Sequence, residues 1–198
     1  VASVVGPVLG RSFYERDARV VAPELLNKVL VHGGRAARIV EVEAYGGADD
    51  PGSHAYRGRT PRTAVMFGPA GHLYVYFSYG MHWCANVVCG DDGVAMAVLL
   101  RAGAPLAGLD EMRVDRRAGR SPRDLCSGPG KLCAALGIDK THNGADLVTA
   151  AASAVHIVDD GLAPPALVGT SSRVGLSAGA DLPWRWFVPG DPNVSRRG

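Results

Sequence analysis

Two carboxylates two residues apart, Glu41 and Glu43, lie in the run Ile39-Val40-Glu41-Val42-Glu43-Ala44-Tyr45. Side chains alternate along a strand, so Glu41, Glu43 and Tyr45 share one face, while Val40, Val42 and Ala44 share the other. A carboxylate flanked by valine and alanine in a partly apolar cleft is able to act as a general base. The plainer alternative is a solvated strand face, where most acids are found. The tyrosines weigh against it: Tyr45, Tyr56, Tyr74, Tyr76 and Tyr79, five of the six, fall in one stretch. Tyr74 or Phe77 reads as core packing. The others suit stacking on a flat base, and Tyr79-Gly80 ends the run at a turn, where an aromatic is able to enter a base stack.

A third element is Ser127-Gly128-Pro129-Gly130-Lys131. At a helix start its N–H groups and the lysine favour a phosphate, a weak signal by itself. The GxxxxGK[ST], GxSxG, HExxH and GxGxxG patterns are all missing, which removes the usual markers of phosphate loops, serine hydrolases, zinc proteases and dinucleotide enzymes.

The elements that must position these residues read as follows. Residues 15–28 form a helical stretch interrupted at Pro23. Val29 to His32 and Arg35 to Tyr45 form a β-hairpin across Gly33-Gly34. Residues 46–63 are a long polar loop, a common place for function. Leu73 to Tyr79, Trp83 to Val88 and Val94 to Leu100 are strands. Pro105 opens a helix running through Met112, and Arg116 to Pro122 is a loop. Lys131 to Leu136 is a helix ended by Gly137. Short strands near Val155 to Val158 and Trp184 to Val188 complete the chain. The fold class is mixed α/β (α+β): a single domain over residues 1–198, on a curved, largely antiparallel sheet with flanking helices.

Composition narrows the class further. The 198 residues suit one domain, and 47% hydrophobic residues supply a core. No apolar run approaches the roughly 20 residues that span a bilayer, and Val1 to Leu9 lacks a signal peptide's basic lead-in. Cys84, Cys89, Cys126 and Cys133 form no CxxC pair, so reduced thiols are expected rather than zinc. Net charge is only +2. Arg57, Arg59 and Arg62 stand in a stretch free of acids, and Arg113, Arg116, Arg117, Arg120 and Arg123 cluster among acids. Either group could meet phosphates or simply face solvent.

The sequence also resembles a known family, the alkyladenine (3-methyladenine) DNA glycosylases. The residues that carry the resemblance are Ile39 to Tyr45, His54, Met66-Phe67-Gly68-Pro69, Leu73 to Met81, Asn86, Leu99-Leu100-Arg101-Ala102 and Leu125 to Leu132. Arg173-Val174-Gly175 and Pro183-Trp184-Arg185-Trp186-Phe187 fit as well. The match runs from about Leu26 to the C-terminus.

The resemblance implies roles. Glu43 is the catalytic glutamate that deprotonates the attacking water, and Arg101 helps hold that water and Glu43. Tyr45, His54 and Tyr76 line the base pocket. Asn86 crowds the exocyclic amine of guanine. Tyr79 enters the minor groove and fills the vacated space. Arg59, Met81, His82 and Lys131 are weaker candidates for gripping the DNA backbone.

The implied activity is that of a monofunctional hydrolase of base excision repair. It flips alkylated or deaminated purines from duplex DNA and leaves an abasic site. The substrate class is 3-methyladenine, 7-methylguanine, hypoxanthine and ethenoadenine. No metal or organic cofactor is expected. The partner is double-stranded DNA holding damaged purines, with no membrane. The protein is expected as a monomer inside the cell, in a bacterial cytoplasm and at the nucleoid. Two rivals stand beside this reading: a nucleosidase or carbohydrate hydrolase, and a lesion-binding module without turnover. Free base released from duplex DNA separates all three.

Overall fold

The computed structural model describes residues 5–116, 121–149 and 155–195. Two helices come first, α1 (Arg11–Tyr14) and α2 (Ala18–Leu25). Asp17 caps α2 by accepting from the Arg19 N–H at 2.8 Å. Pro23 lies inside α2, which ends two residues later.

Strands β1 (Val29–His32) and β2 (Arg35–Tyr45) follow as the expected hairpin. Gly33 and Gly34 both have positive φ, 54° and 82°. That is the two-residue turn whose twist matches the strands, and only glycine adopts it freely at both positions. Beyond the polar loop come β3 (Leu73–Ser78), β4 (His82–Cys89) and β5 (Met96–Ala107). Three helices then follow: α3 (Leu109–Asp115), α4 (Pro122–Leu125) and α5 (Pro129–Leu136). The last strands are short: β6 (His156–Val158), β7 (Gly169–Ser171) and β8 (Arg185–Phe187).

All eight strands join one sheet with path β3-β4-β5-β2-β1-β6; β8 also pairs with β2, and β7 with β8. Every pairing is antiparallel. The mixed α/β class read from the sequence is what forms. Helices α2 and α5 cover one face and bury Val21, Leu25, Leu132 and Leu136 against Val42, Val98 and Leu100. Burying a side chain of this kind contributes about 1.5–3 kcal/mol. The opposite face carries a smaller cluster around Met66, Tyr74 and Ala97.

Of Tyr74 and Phe77, Tyr74 is the core residue, while Phe77 is 47% exposed. Three expectations need correction. Pro105 does not open a helix: it lies in β5 opposite Ala37, beside a break in register where a missing N–H is tolerated, and α3 begins only at Leu109. The Arg116 to Pro122 loop and the arginine cluster fall partly on residues 117–120, outside the described residues, and Pro122 already begins α4. Val40 does not share a face with Val42 and Ala44.

The reason for the last lies in the pairing of the two longest strands. Ile39 pairs with Gly103 and Val42 with Leu100, with two residues between on each strand and register breaks at both sides of Glu41. Ile39 and Val42 both reach the main core, three positions apart, while Val40 packs with Ala102 and Val194. An irregularity of this kind turns the strand by one residue. It leaves Glu41, Glu43 and Arg101 close together on the side away from α2 and α5.

Candidate active site

Both glutamates are 0% exposed, so the solvated strand face is excluded. Their partners differ. Glu43 Oε1 accepts from the Val174 N–H at 2.7 Å and lies 3.2 Å from Arg101 Nη1. Its Oε2 accepts from the Tyr45 hydroxyl at 2.9 Å. An ionised carboxylate has about four lone-pair sites, so these three donors leave room for one more. Glu41 has four donors: Arg101 Nε (2.8 Å), Arg185 Nε (2.7 Å) and the Ser195 hydroxyl (2.9 Å) converge on Oε1, and the Ser195 N–H (2.6 Å) reaches Oε2. Burial pushes the Glu41 carboxyl up, but Arg101, Ser195 and Arg185 outweigh it and hold the group below its ordinary value. Burial alone would lower Arg101; Glu43 and Glu41 reverse that, so the guanidinium is firmly charged.

Above these groups opens a cleft of about 410 Å³, within the span of ligand pockets, roughly 300–1,000 Å³. Its lining includes Tyr45, His54, Tyr76, Tyr79, Arg101 and Val174. Glu43 itself is fully buried behind this wall, and its three partners Tyr45, Arg101 and Val174 all line it. A smaller hollow of about 20 Å³, enough for one water, continues past Tyr45, His54 and Tyr76 to Asn86.

The aromatic wall is locked. Tyr74 and Tyr76 stack at 5.6 Å, and the His54 ring stands edge-on to Tyr76 at 4.5 Å. The His54 Nδ1 lies 3.1 Å from the Tyr74 hydroxyl. Burial, then Arg62, holds His54 below its ordinary value, so it is neutral at physiological pH. Burial likewise raises the Tyr45 and Tyr76 hydroxyls, which stay protonated. Asn86 is buried and donates to the Tyr74 carbonyl at 3.1 Å, which fixes its amide. The tyrosine faces are already partly used: Arg173 lies 4.7 Å from the Tyr45 ring centre and Arg62 lies 5.5 Å from that of Tyr76.

At the rim, Tyr79 is 81% exposed with φ of 50°. Met81 and His82 are exposed beside it. His82 and Lys131 line a neighbouring groove of about 330 Å³ with Tyr79 and Arg116. The Lys131 Nζ donates to the Ser127 hydroxyl at 3.2 Å. At Gly130 an added Cβ would lie 2.7 Å from the His82 ring, so only glycine lets the start of α5 approach β4 this closely. Arg59 is exposed and lines neither the cleft nor the groove; Arg62 from the same loop does.

Residues 12–192 match the methylpurine-DNA glycosylase family. The chain belongs to that family. A methylpurine-DNA glycosylase is a DNA repair enzyme, a hydrolase of N-glycosyl bonds that binds DNA and processes alkylated bases. The chain is 57% identical over 191 residues to a protein of Burkholderia lata, covering 96% of this chain and 92% of that one. It is 47% identical to a protein of Frankia casuarinae (94% and 91% covered) and 47% identical to one of Chlorobaculum tepidum (95% and 90%). All three relatives carry the provisional name 3-methyladenine DNA glycosylase. No helix among the described residues of this glycosylase is long and apolar enough to cross a membrane.

Sequence reasoning assigned no role to Arg62, Arg173, Val174, Arg185 or Ser195. Val174 works through its backbone N–H, which side-chain identity does not announce. Arg173 makes a two-pronged ion pair with Asp50, both side chains fully buried. That pair fixes the segment that carries Val174. Arg62 had a signal as the third arginine of an acid-free stretch, and Arg173, Val174 and Arg185 stood in motifs that carry the family resemblance.

Proposed function

We propose that the cleft receives an alkylated or deaminated purine turned out of duplex DNA, and that Glu43 activates the water that removes it. The observation that carries this is the contrast between the two buried carboxylates. The three groups that hold Glu43 (Tyr45, Arg101 and Val174) all line the aromatic cleft, while of the groups that hold Glu41 only Arg101 does. Water attacks C1′ as the N-glycosidic bond breaks. The bonding pair leaves with the purine nitrogen, and Glu43 takes the water proton. A cationic alkylpurine departs as a neutral base. The carboxylate also opposes the positive charge that develops on the sugar.

The substrate class is 3-methyladenine, 7-methylguanine, hypoxanthine and ethenoadenine. Tyr45, His54 and Tyr76 hold the base, and Asn86 crowds the exocyclic amine of guanine. Tyr79 occupies the gap in the duplex, which offsets part of the few kcal/mol that flipping costs. His82, Met81 and Lys131 grip the backbone, with Arg59 outside the cleft on the same loop as Arg62. The reaction stops at the abasic site, because a lyase step needs an amine nucleophile and no lysine lines the cleft among the described residues. The chain works as a monomer, since one copy supplies every residue named.

Duplex oligonucleotides holding one hypoxanthine or one ethenoadenine, together with methylated DNA, test this. Wild type is expected to give strand breaks only after hot alkali, and Glu43→Gln to bind without releasing base. No release by wild type on any of these substrates would leave a lesion-binding protein as the better account.

A further inference from the structure

The guanidinium of Arg101 is divided. Its Nε donates to Glu41 at 2.8 Å, its Nη2 donates to the Ser195 hydroxyl at 3.2 Å, and its Nη1 lies 3.2 Å from Glu43. The shortest contact goes to Glu41, whose other partners, Arg185 and Ser195, do not line the cleft, rather than to Glu43, whose partners all do. Glu41 in turn is held by Arg185 from β8 and by Ser195 from the C-terminal segment. We propose that Glu41 is a positioning residue that draws Arg101 away from Glu43, so that Glu43 stays available to take a proton from water. The inference rests on the reading of Glu43 as the general base.

Several charged groups surround Glu43, and the buried Arg173–Asp50 pair lies beyond Tyr45. Arg101 comes from β5, Glu41 from its own strand, and Arg185 sits opposite on β8. Tyr45 and the Val174 N–H donate to it, and the neutral Tyr76 and Cys84 groups stand nearby. A carboxylate in full contact with an arginine is a weak base, because the cation favours the ionised form. Sharing that arginine with a second buried carboxylate reduces the grip. The energy of both buried anions is met by two buried cations, Arg101 and Arg185, so the group as a whole is balanced.

Two substitutions move the balance in opposite directions. Glu41→Gln removes the competing charge, so Arg101 turns fully to Glu43. Arg185→Gln removes Glu41's other cation, so Glu41 takes more of Arg101. The readout is the pH profile of single-turnover base release from a hypoxanthine duplex. For Glu41→Gln the acid limb is expected to move down by about one pH unit and the plateau to fall on the order of tenfold. For Arg185→Gln the acid limb is expected to move up. Loss of packing alone would lower both rates and move neither limb.

Either variant that fails to fold leaves the other to decide. A folded Glu41→Gln whose limb is unmoved, or a folded Arg185→Gln whose limb moves down, overturns the proposal. Glu43→Gln is run alongside. If it keeps the wild-type limb, the reading of Glu43 fails. If it loses activity while Glu41→Gln matches wild type, only the role of Glu41 fails.

Discussion

Tyr45 donates its hydroxyl proton to Glu43 Oε2 at 2.9 Å, across the two-residue repeat of a single strand. The pair is local, yet it joins the aromatic wall to the buried carboxylate. Tyr45→Phe keeps the ring and removes the donor. A hydrogen bond to a charged group contributes about 1.5–3 kcal/mol, so the single-turnover rate is expected to fall about tenfold to a hundredfold. Binding to a lesion duplex should change much less. Equal loss of both would mean that the hydroxyl acts on DNA rather than on Glu43.

Arg173 and Asp50 are both fully buried and paired through two contacts. Arg173→Met leaves an uncompensated carboxylate inside the protein. Breaking such a pair costs about 3–5 kcal/mol. Urea denaturation should show that loss, and activity should fall further than stability explains, since Val174 is the next residue and holds Glu43.

Asp50 also sets an acid limit. Burial raises its carboxyl, but Arg173 and the N–H groups of Gly46 and Gly52 outweigh burial and hold it below its ordinary value. A depressed carboxylate stabilises the fold above its unfolded value, about 3.9, and that stability is lost as pH falls through the lower folded value. Stability measured from pH 6 downward should therefore drop below pH 4. Asp50→Asn should be less stable at neutral pH and show a shallower drop. An unchanged slope would place the acid limit elsewhere.

Tyr79 holds a φ of 50° that a non-glycine residue adopts at a cost. Tyr79→Gly removes that strain, worth about 1 kcal/mol or more, and buries nothing less, because the side chain is 81% exposed. Thermal unfolding should move up while base release from duplex DNA falls. Release from a single strand, where no gap must be filled, should be affected less. A drop in stability would show that the ring is packed rather than presented.

The hairpin and the shared face of Glu41, Glu43 and Tyr45 were legible because each is encoded within a few residues, by a glycine pair and by alternation. Helix α5 was legible from its proline and glycine boundaries. Pro105 misled because its ring reads as a helix start, while its neighbours on β2 supply a strand with a register break. Val40 misled because alternation holds only in a regular ladder, and the irregularity arises from pairing with a strand some sixty residues away. The partners of the two glutamates were the least legible. Val174, Arg185 and Ser195 come from the glycine- and proline-rich final third, more than 130 residues beyond their targets, with no periodicity to mark them.

The paired irregularity of β2 and β5 behaves like two compensating frameshifts. Between Ile39–Gly103 and Val42–Leu100 each strand carries the same number of residues, so the ladder leaves its phase and regains it within one step. Losing a residue from only one side would restore simple alternation on that strand and leave a one-sided bulge on its partner. On β2 the residue left between Ile39 and Val42 would face away from α2 and α5, with Val42 still in the core and Glu43 still on the cleft side, but one of Val40 and Glu41 would be gone. The matched extra residue is what lets β2 carry both a packing valine and a second buried carboxylate between two core positions, and β5 carries its own in step although it lies far along the chain.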